Sequence, residues 1–170
     1  MGWNHKNPLF ATAATRRALG HLVDYQQIID KVYYGYYFQC TSPFGSKSMF
    51  SAEELRKPGK MISFDRKKGI ELLKKEGWAD TDGDNVLDKV IDGKKVPFRF
   101  TLKYNSNNPL RAKVAQIVRE NLKAAGIDAQ ILAVEWNAYI EDVSKKQFEA
   151  FILGWLPSLT MNPKQVWHTD

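Results

Sequence analysis

The sequence predicts an α/β fold, with a mainly parallel sheet and helices on both faces. Three observations carry this. Residues 96–155 alternate in periodicity in the order strand, helix, strand, helix, strand. The helical stretches open on capping residues and close on glycine. The strand-like stretches are short, apolar and bounded by turn residues. Strands that alternate with helices imply right-handed crossovers, and so parallel strands covered by helices.

The chain opens abruptly, with Trp3 and an Asn7-Pro8 turn. Residues 12–23 (TAATRRALGHLV) predict a helix with Ala14, Ala18, Leu19 and Leu22 on one side. Asp24 is the expected N-cap of a second helix through Tyr34, with Ile28, Ile29 and Val32 inward and Gly35 closing it. Residues 36–59 read as irregular, with a short helical turn near 52–56. Asp65 caps a helix through Glu76 that buries Ile70 and Leu73 and stops at Gly77. Residues 80–93 read as a polar loop.

Residues 96–104 (VPFRFTLKY) alternate, with Phe98, Phe100, Leu102 and Tyr104 on one face and Arg99 and Lys103 on the other. Asn108 and Pro109 supply an N-cap and a first-turn proline. Leu110, Val114, Ile117, Val118 and Leu122 then form one apolar helix stripe, stopped by Gly126. Residues 128–134 (DAQILAV) form the second strand. Trp136, Tyr139, Ile140 and Val143 mark the next helix, and residues 148–153 (FEAFIL) the third strand, which Gly154 and Trp155 end. Asn162-Pro163 starts another helix, inside which the chain stops at Asp170.

A chain of 170 residues with 44% hydrophobic and 26% charged content is an ordinary globular composition. It is long enough for one domain with its own core. The net charge of +6 comes largely from scattered doublets, Arg16-Arg17, Lys67-Lys68, Lys74-Lys75, Lys94-Lys95 and Lys145-Lys146. Such scatter fits solvated faces better than a nucleic-acid footprint, which concentrates charge on one face. The single cysteine, Cys40, forms no disulfide within the chain, and no run approaches transmembrane length. No signal peptide is evident. The three histidines show no ligand spacing, and neither GxSxG, GxGxxG nor a phosphate loop is present. No nucleophile and base stand out, so an enzyme is not expected.

Five stretches then coincide with a known family. The run Arg17-Ala18-Leu19-Gly20-His21-Leu22-Val23-Asp24, followed by Ile28 and Ile29, resembles the opening signature of family 5 of the extracellular solute-binding proteins. These are the oligopeptide- and dipeptide-binding components of ABC importers. Phe64-Asp65, Leu72-Leu73 and Gly77-Trp78 resemble its next segment, and Asp80, Asp82, Gly83 and Asp84 its Asp-rich turn. Leu122-Lys123-Ala124-Ala125-Gly126-Ile127 and Phe148-Glu149-Ala150 with Leu153-Gly154-Trp155 complete the match in the family's order. The resemblance implies a type II periplasmic-binding-protein-like lobe. It also implies that residues 1–170 are a single domain, part of the C-terminal lobe of a two-lobed protein whose N-terminal lobe is absent. The implied activity is binding a peptide or other small solute between lobes and delivering it to ABC permease subunits. The implied location is periplasmic or extracellular, with membrane contact only through a lipid anchor or the permease. Neither a cofactor nor nucleic acid is expected.

In parallel sheets, ligands bind beyond the carboxyl ends of the strands. Trp155 sits at that edge, either closing the core or lining the site. Trp136 is a second candidate there, or a packing staple at a helix start. Asn105, Ser106, Asn107 and Asn108 follow the first strand. Turn and cap chemistry is their simpler reading, and Asn105 is kept as a ligand candidate. Beyond Trp155, Leu156, Ser158 and Thr160 are the expected contacts. Peptide-binding members carry an Asp a few residues past Gly-Trp, where this chain has Ser158. That departure points to a solute without a free amine, or to an amine bound elsewhere. Asp80, Asp82, Asp84 and Asp88 alternate as in a calcium loop, but Gly83 is two positions early and Ile91 replaces the bidentate Glu. A solvated turn is the simpler reading. The alternative function is a nucleic-acid-binding α/β module using the basic and aromatic strand from Phe98 to Tyr104. It requires Phe98 and Phe100 to be exposed.

Overall fold

The computed structural model describes residues 1–40 and 60–154, with 52, 54 and 57 between them. Each of the five α-helices in the described residues opens on a side-chain cap, and three of those caps, Asp24, Asp65 and Asn108, are the expected ones. Thr12 Oγ1 accepts from the Thr15 N–H and opens α1 (Ala13–Leu22). Asp24 does the same through Gln27 for α2 (Tyr25–Tyr33), and Asp65 through Lys68 for α3 (Arg66–Lys75). Asn108 accepts from the Arg111 N–H at the start of α4 (Pro109–Lys123). Glu135 caps α5 (Trp136–Ser144). Each cap satisfies an N–H that has no partner inside its helix. α2 ends one residue earlier than Gly35 suggests. Tyr34 already takes the left-handed conformation, with φ 52°.

The main sheet has the order β1-β6-β4-β5. β4 (Arg99–Asn105) is central and runs parallel to both β5 (Asp128–Val134) and β6 (Ala150–Phe151). The expected parallel arrangement of three strands is therefore present. β1 (Gly2–Trp3) adds an antiparallel edge on β6 that the sequence did not announce. α4 packs on β4 and β5, while α5 lies over the opposite face of β4, where Lys103 Nζ meets Asp142 Oδ2 at 2.7 Å. The sheet is covered on both sides.

Two strand assignments need correction. Residues 96–104 are not one strand. Val96 and Pro97 belong to β3 (Lys94–Pro97), which pairs antiparallel with β2 (Asp88–Ile91). Asp92 and Gly93 turn this hairpin with φ of 50° and 75°, the positive angles that two-residue hairpins demand. Part of the expected polar loop at 80–93 is thus a strand and a tight turn. Phe98 then links the hairpin to the main sheet. The expected strand at 148–153 shrinks to Ala150–Phe151, although the Ile152 N–H still donates to Lys103 O at 3.0 Å.

The core gathers around β4. Phe10, Phe98, Phe100 and Trp78 form an aromatic cluster under α1 and α3. Phe98 is 0% and Phe100 2% exposed. No base can stack on rings so buried, which rules out the nucleic-acid module. One expected core position fails: Leu110 is exposed, on the outer side of the first turn of α4. Tyr104 and Ile117 are only half-buried.

Candidate site at the carboxyl edge of the sheet

β4, β5 and β6 deliver their carboxyl ends to one edge. The Ser106 N–H donates to Val134 O at 2.8 Å and stitches the first two ends together. Tyr139, wholly buried on α5, donates its hydroxyl to Ile152 O at 2.6 Å and fixes the third. Burial pushes the Tyr139 phenol up to about 12, against the pull of the nearby Arg111 charge. It stays a neutral donor at any physiological pH.

Asn105 closes β4 and is only 4% exposed. Its side-chain oxygen accepts from Arg111 Nη1, and its side-chain nitrogen donates to Asn107 Oδ1. Its backbone oxygen accepts from the Asn108 N–H at 3.3 Å. Turn and cap chemistry therefore occupies Asn105, Asn107 and Asn108. Asn105 also holds the Arg111 guanidinium at this edge.

Arg111 is the residue that sequence reasoning missed. It stands in the first turn of α4 and reaches back to the end of β4. A Cβ added to Gly154 would lie 3.4 Å from its Nη2, so the guanidinium also flanks the chain leaving β6. The available signal was an arginine three residues after an N-cap, one turn beyond a strand end.

Trp136 is 41% exposed at the first position of α5, its ring 6.3 Å from that of Tyr139. It is more open than a packing staple. Its neighbour Glu135 turns Oε2 back to the N–H groups of Asn137 and Ala138, at 2.8 and 3.3 Å. The edge thus presents an arginine and a tryptophan beside a carboxylate engaged as a cap. Trp155, Leu156, Ser158 and Thr160 lie outside the described residues.

The acidic turn has a different chemistry. Asp80, Asp82 and Asp88 bring carboxylate oxygens within 4.8 Å of one another, and Asp84 is not among them. Lys95 Nζ sits 2.5 Å from Asp82 and 3.3 Å from Asp88. Asp80 accepts from the N–H groups of Gly83 and Asn85, and Asp84 from that of Val86. Burial pushes Asp88 up, but two hydrogen bonds from Thr81 and the Lys95 ammonium outweigh it, so its carboxyl lies below the usual range. The Lys95 hydrogen bond likewise lowers Asp82. An ammonium and turn amides engage the oxygens a calcium ion would need.

Among the described residues, two open grooves lie at the opposite, amino edge. One, of about 650 Å³, runs between Pro8, Val96 and Arg99. The other, of about 500 Å³, runs between Val86, Arg119 and Asp128. An ion pair of 2.5 Å between Arg99 and Asp128 stands between the strand starts on that side.

The family described as bacterial extracellular solute-binding proteins, family 5 Middle, matches residues 1–169. The oligopeptide-binding protein AppA of Bacillus subtilis is 34% identical over 172 residues, covering 100% of this chain and 31% of AppA. The solved structure of that protein in complex with a nonapeptide superposes with a TM-score of 0.88 at 35% identity, covering 99% of this chain and 32% of that one. NikZ from Campylobacter jejuni, solved in complex with Ni(L-His), superposes with a TM-score of 0.74 at 26% identity, over 93% of this chain and 29% of that one. The chain spans about a third of the length of these relatives.

Proposed function

The chain belongs to family 5 of the bacterial extracellular solute-binding proteins, and from that premise we propose that it forms one wall of a solute-binding cleft. The whole protein is the substrate-binding component of an ABC importer. It binds a peptide or other small solute between two lobes and hands it to the permease. Residues 1–170 are part of one lobe, and the facing wall comes from the other. Binding works by hinge closure, because a solute that touches both walls favours the closed state. The closed form then docks on the permease. The protein works in the periplasm or outside the cell, held at the membrane by a lipid anchor or by the permease. No helix among the described residues is long and apolar enough to cross a membrane. The role is binding, not catalysis.

One observation supports this reading above the others. Three parallel strands end at a single edge, which carries Arg111, held by the strand-end amide of Asn105, and the exposed Trp136 at the start of α5. Aromatic surface with a few fixed polar groups suits small-solute recognition. Trp155, Leu156, Ser158 and Thr160 extend the same wall in this proposal. The ligands in the solved complexes of the relatives, a nonapeptide for AppA and Ni(L-His) for NikZ, bracket the solute class. The test is mass spectrometry of the full-length protein purified under gentle conditions. A peptide-sized solute carried through in near-stoichiometric amount is the expected result. A protein that carries nothing, and gives no heat in calorimetry with either a short-peptide pool or Ni(L-His), overturns the proposal.

A further inference from the structure

We infer that the outer edge of β5 is a self-pairing surface, on which a second copy of this protein adds its own β5 antiparallel across a two-fold axis at Ile131. β5 ends the main sheet, and among the described residues no strand lies beyond it. The Asp128 N–H donates to Phe98 O at 3.0 Å, and Val134 O accepts from the Ser106 N–H at 2.8 Å. Alternate residues of a strand turn to the same neighbour, so Asp128, Gln130, Leu132 and Val134 bond β4. The N–H and C=O groups of Ala129, Ile131 and Ala133 therefore point outward. Such a row is a template for another chain.

The row suits a copy of itself. An antiparallel pair centred on Ile131 sets Ile131 against its own counterpart, and each Ala129 against the partner's Ala133. Every outward donor then meets an acceptor, which is the self-complementarity that a closed two-fold interface requires. The strand also lacks the usual guards of a free edge. Residues 129–134 (AQILAV) hold no charge and no proline, and the one charge on β5, Asp128, is tied to Arg99 at 2.5 Å. The face of β5 opposite the core is open as well, with Leu132 45% exposed and Gln130 exposed. In this pairing Gln130 of each copy stands opposite the partner's Leu132. The partner's Glu135 comes to the groove that Arg119 and Lys123 line at the amino end of β5. Opposite charges thus meet at both ends of the pair, and like charges face each other nowhere along it. An edge of seven residues is small beside the interfaces of permanent dimers, so the association is weak and depends on concentration.

The experiment is sedimentation of the full-length protein over rising concentration. The wild-type mass is expected to climb from one chain towards two and to stop there. Gln130→Lys combined with Leu132→Lys sets lysine opposite lysine on both sides of the axis, and is expected to weaken association at least about tenfold. Gln130→Lys combined with Leu132→Glu sets lysine opposite glutamate, and is expected to restore it. Thermal melting reports that each variant folds. Hydrogen exchange on the wild-type protein reads the same edge without a substitution, and the amides of Ala129, Ile131 and Ala133 are expected to slow as concentration rises. A mass that stays at one chain up to about 1 mM overturns the inference, and means that the rest of the full-length chain covers this edge. Masses that climb past two chains overturn the closed pairing. So do two double variants that fold and associate alike, or exchange at those three amides that ignores concentration.

Discussion

The indole of Trp78 lies over the ring of Phe98, their centroids 4.3 Å apart and their planes 32° from parallel. Trp78 leaves α3 through Gly77, whose φ of 88° lets the chain reverse and aim the indole at the strand. The contact joins the helix α3 to the start of β4, and so to the sheet that carries the edge. Both rings are buried. Trp78→Ala is expected to destabilise the chain by about 3–5 kcal/mol, the usual cost of emptying a large aromatic site. Chemical unfolding of the 170-residue chain measures it. A loss below about 1 kcal/mol would mean that the site collapses or is not core.

Gly69 is a point of close approach between α3 and α1. A Cβ there would meet Leu22 Cδ2 at 2.5 Å, Leu22 Cγ at 2.8 Å and Ala18 O at 3.2 Å. On an exposed helix, Gly→Ala gains about 1 kcal/mol. Here overpacking reverses the sign, and Gly69→Ala is expected to cost about 1–3 kcal/mol net. A double-mutant cycle with Leu22→Ala should show strong coupling between the sites. Additive costs would contradict the contact.

Asn121 ties α4 to the start of α2. Its Oδ1 accepts from the Asp24 N–H at 2.8 Å, and its Nδ2 donates to Gln27 Oε1 at 3.1 Å. The side chain is buried. Asn121→Leu removes the partner of the partly buried Asp24 N–H and is expected to cost about 1–3 kcal/mol in unfolding experiments. Hydrogen exchange at the first turn of α2 should quicken in the variant, and unchanged exchange there would contradict the assignment.

Asp88 gives the fold an acid limit. Its carboxyl lies below its usual range when folded, so it contributes stability that is complete above the unfolded value near about 3.9. That contribution is lost as pH falls through the lower folded value. Stability measured against pH should fall below about pH 4, and Asp88→Asn should flatten that part of the curve. A variant with the same acid slope as wild type would show that the Thr81 and Lys95 contacts do not hold Asp88.

Much of this architecture is legible in local chemistry. Asp24, Asp65 and Asn108 announce their helices because an N-cap needs only its own next turn. β5 occupies residues 128–134 as read, since Gly126 and Glu135 bound it on both sides. What stays hidden is long-range. β1 is two residues long, and only its pairing with residues 150 and 151 makes it a strand. The hairpin of β2 and β3 carries an exposed Val90 and three lysines, so its pattern resembles a loop. At the edge, Trp136 is legible from its place after a strand. Arg111 is not, because its role depends on a side chain reaching back across the β4–α4 turn to Asn105.

The central claim is that solute meets the carboxyl edge of β4, β5 and β6. Hydrogen exchange of the full-length protein, with and without the solute carried through purification, tests it most directly. Slowed exchange at residues 104–108, 134–138 and 152–154 on adding solute is the expected result. Slowing confined to the amino-edge grooves around Arg99 and Asp128, with the carboxyl edge unchanged, would contradict it.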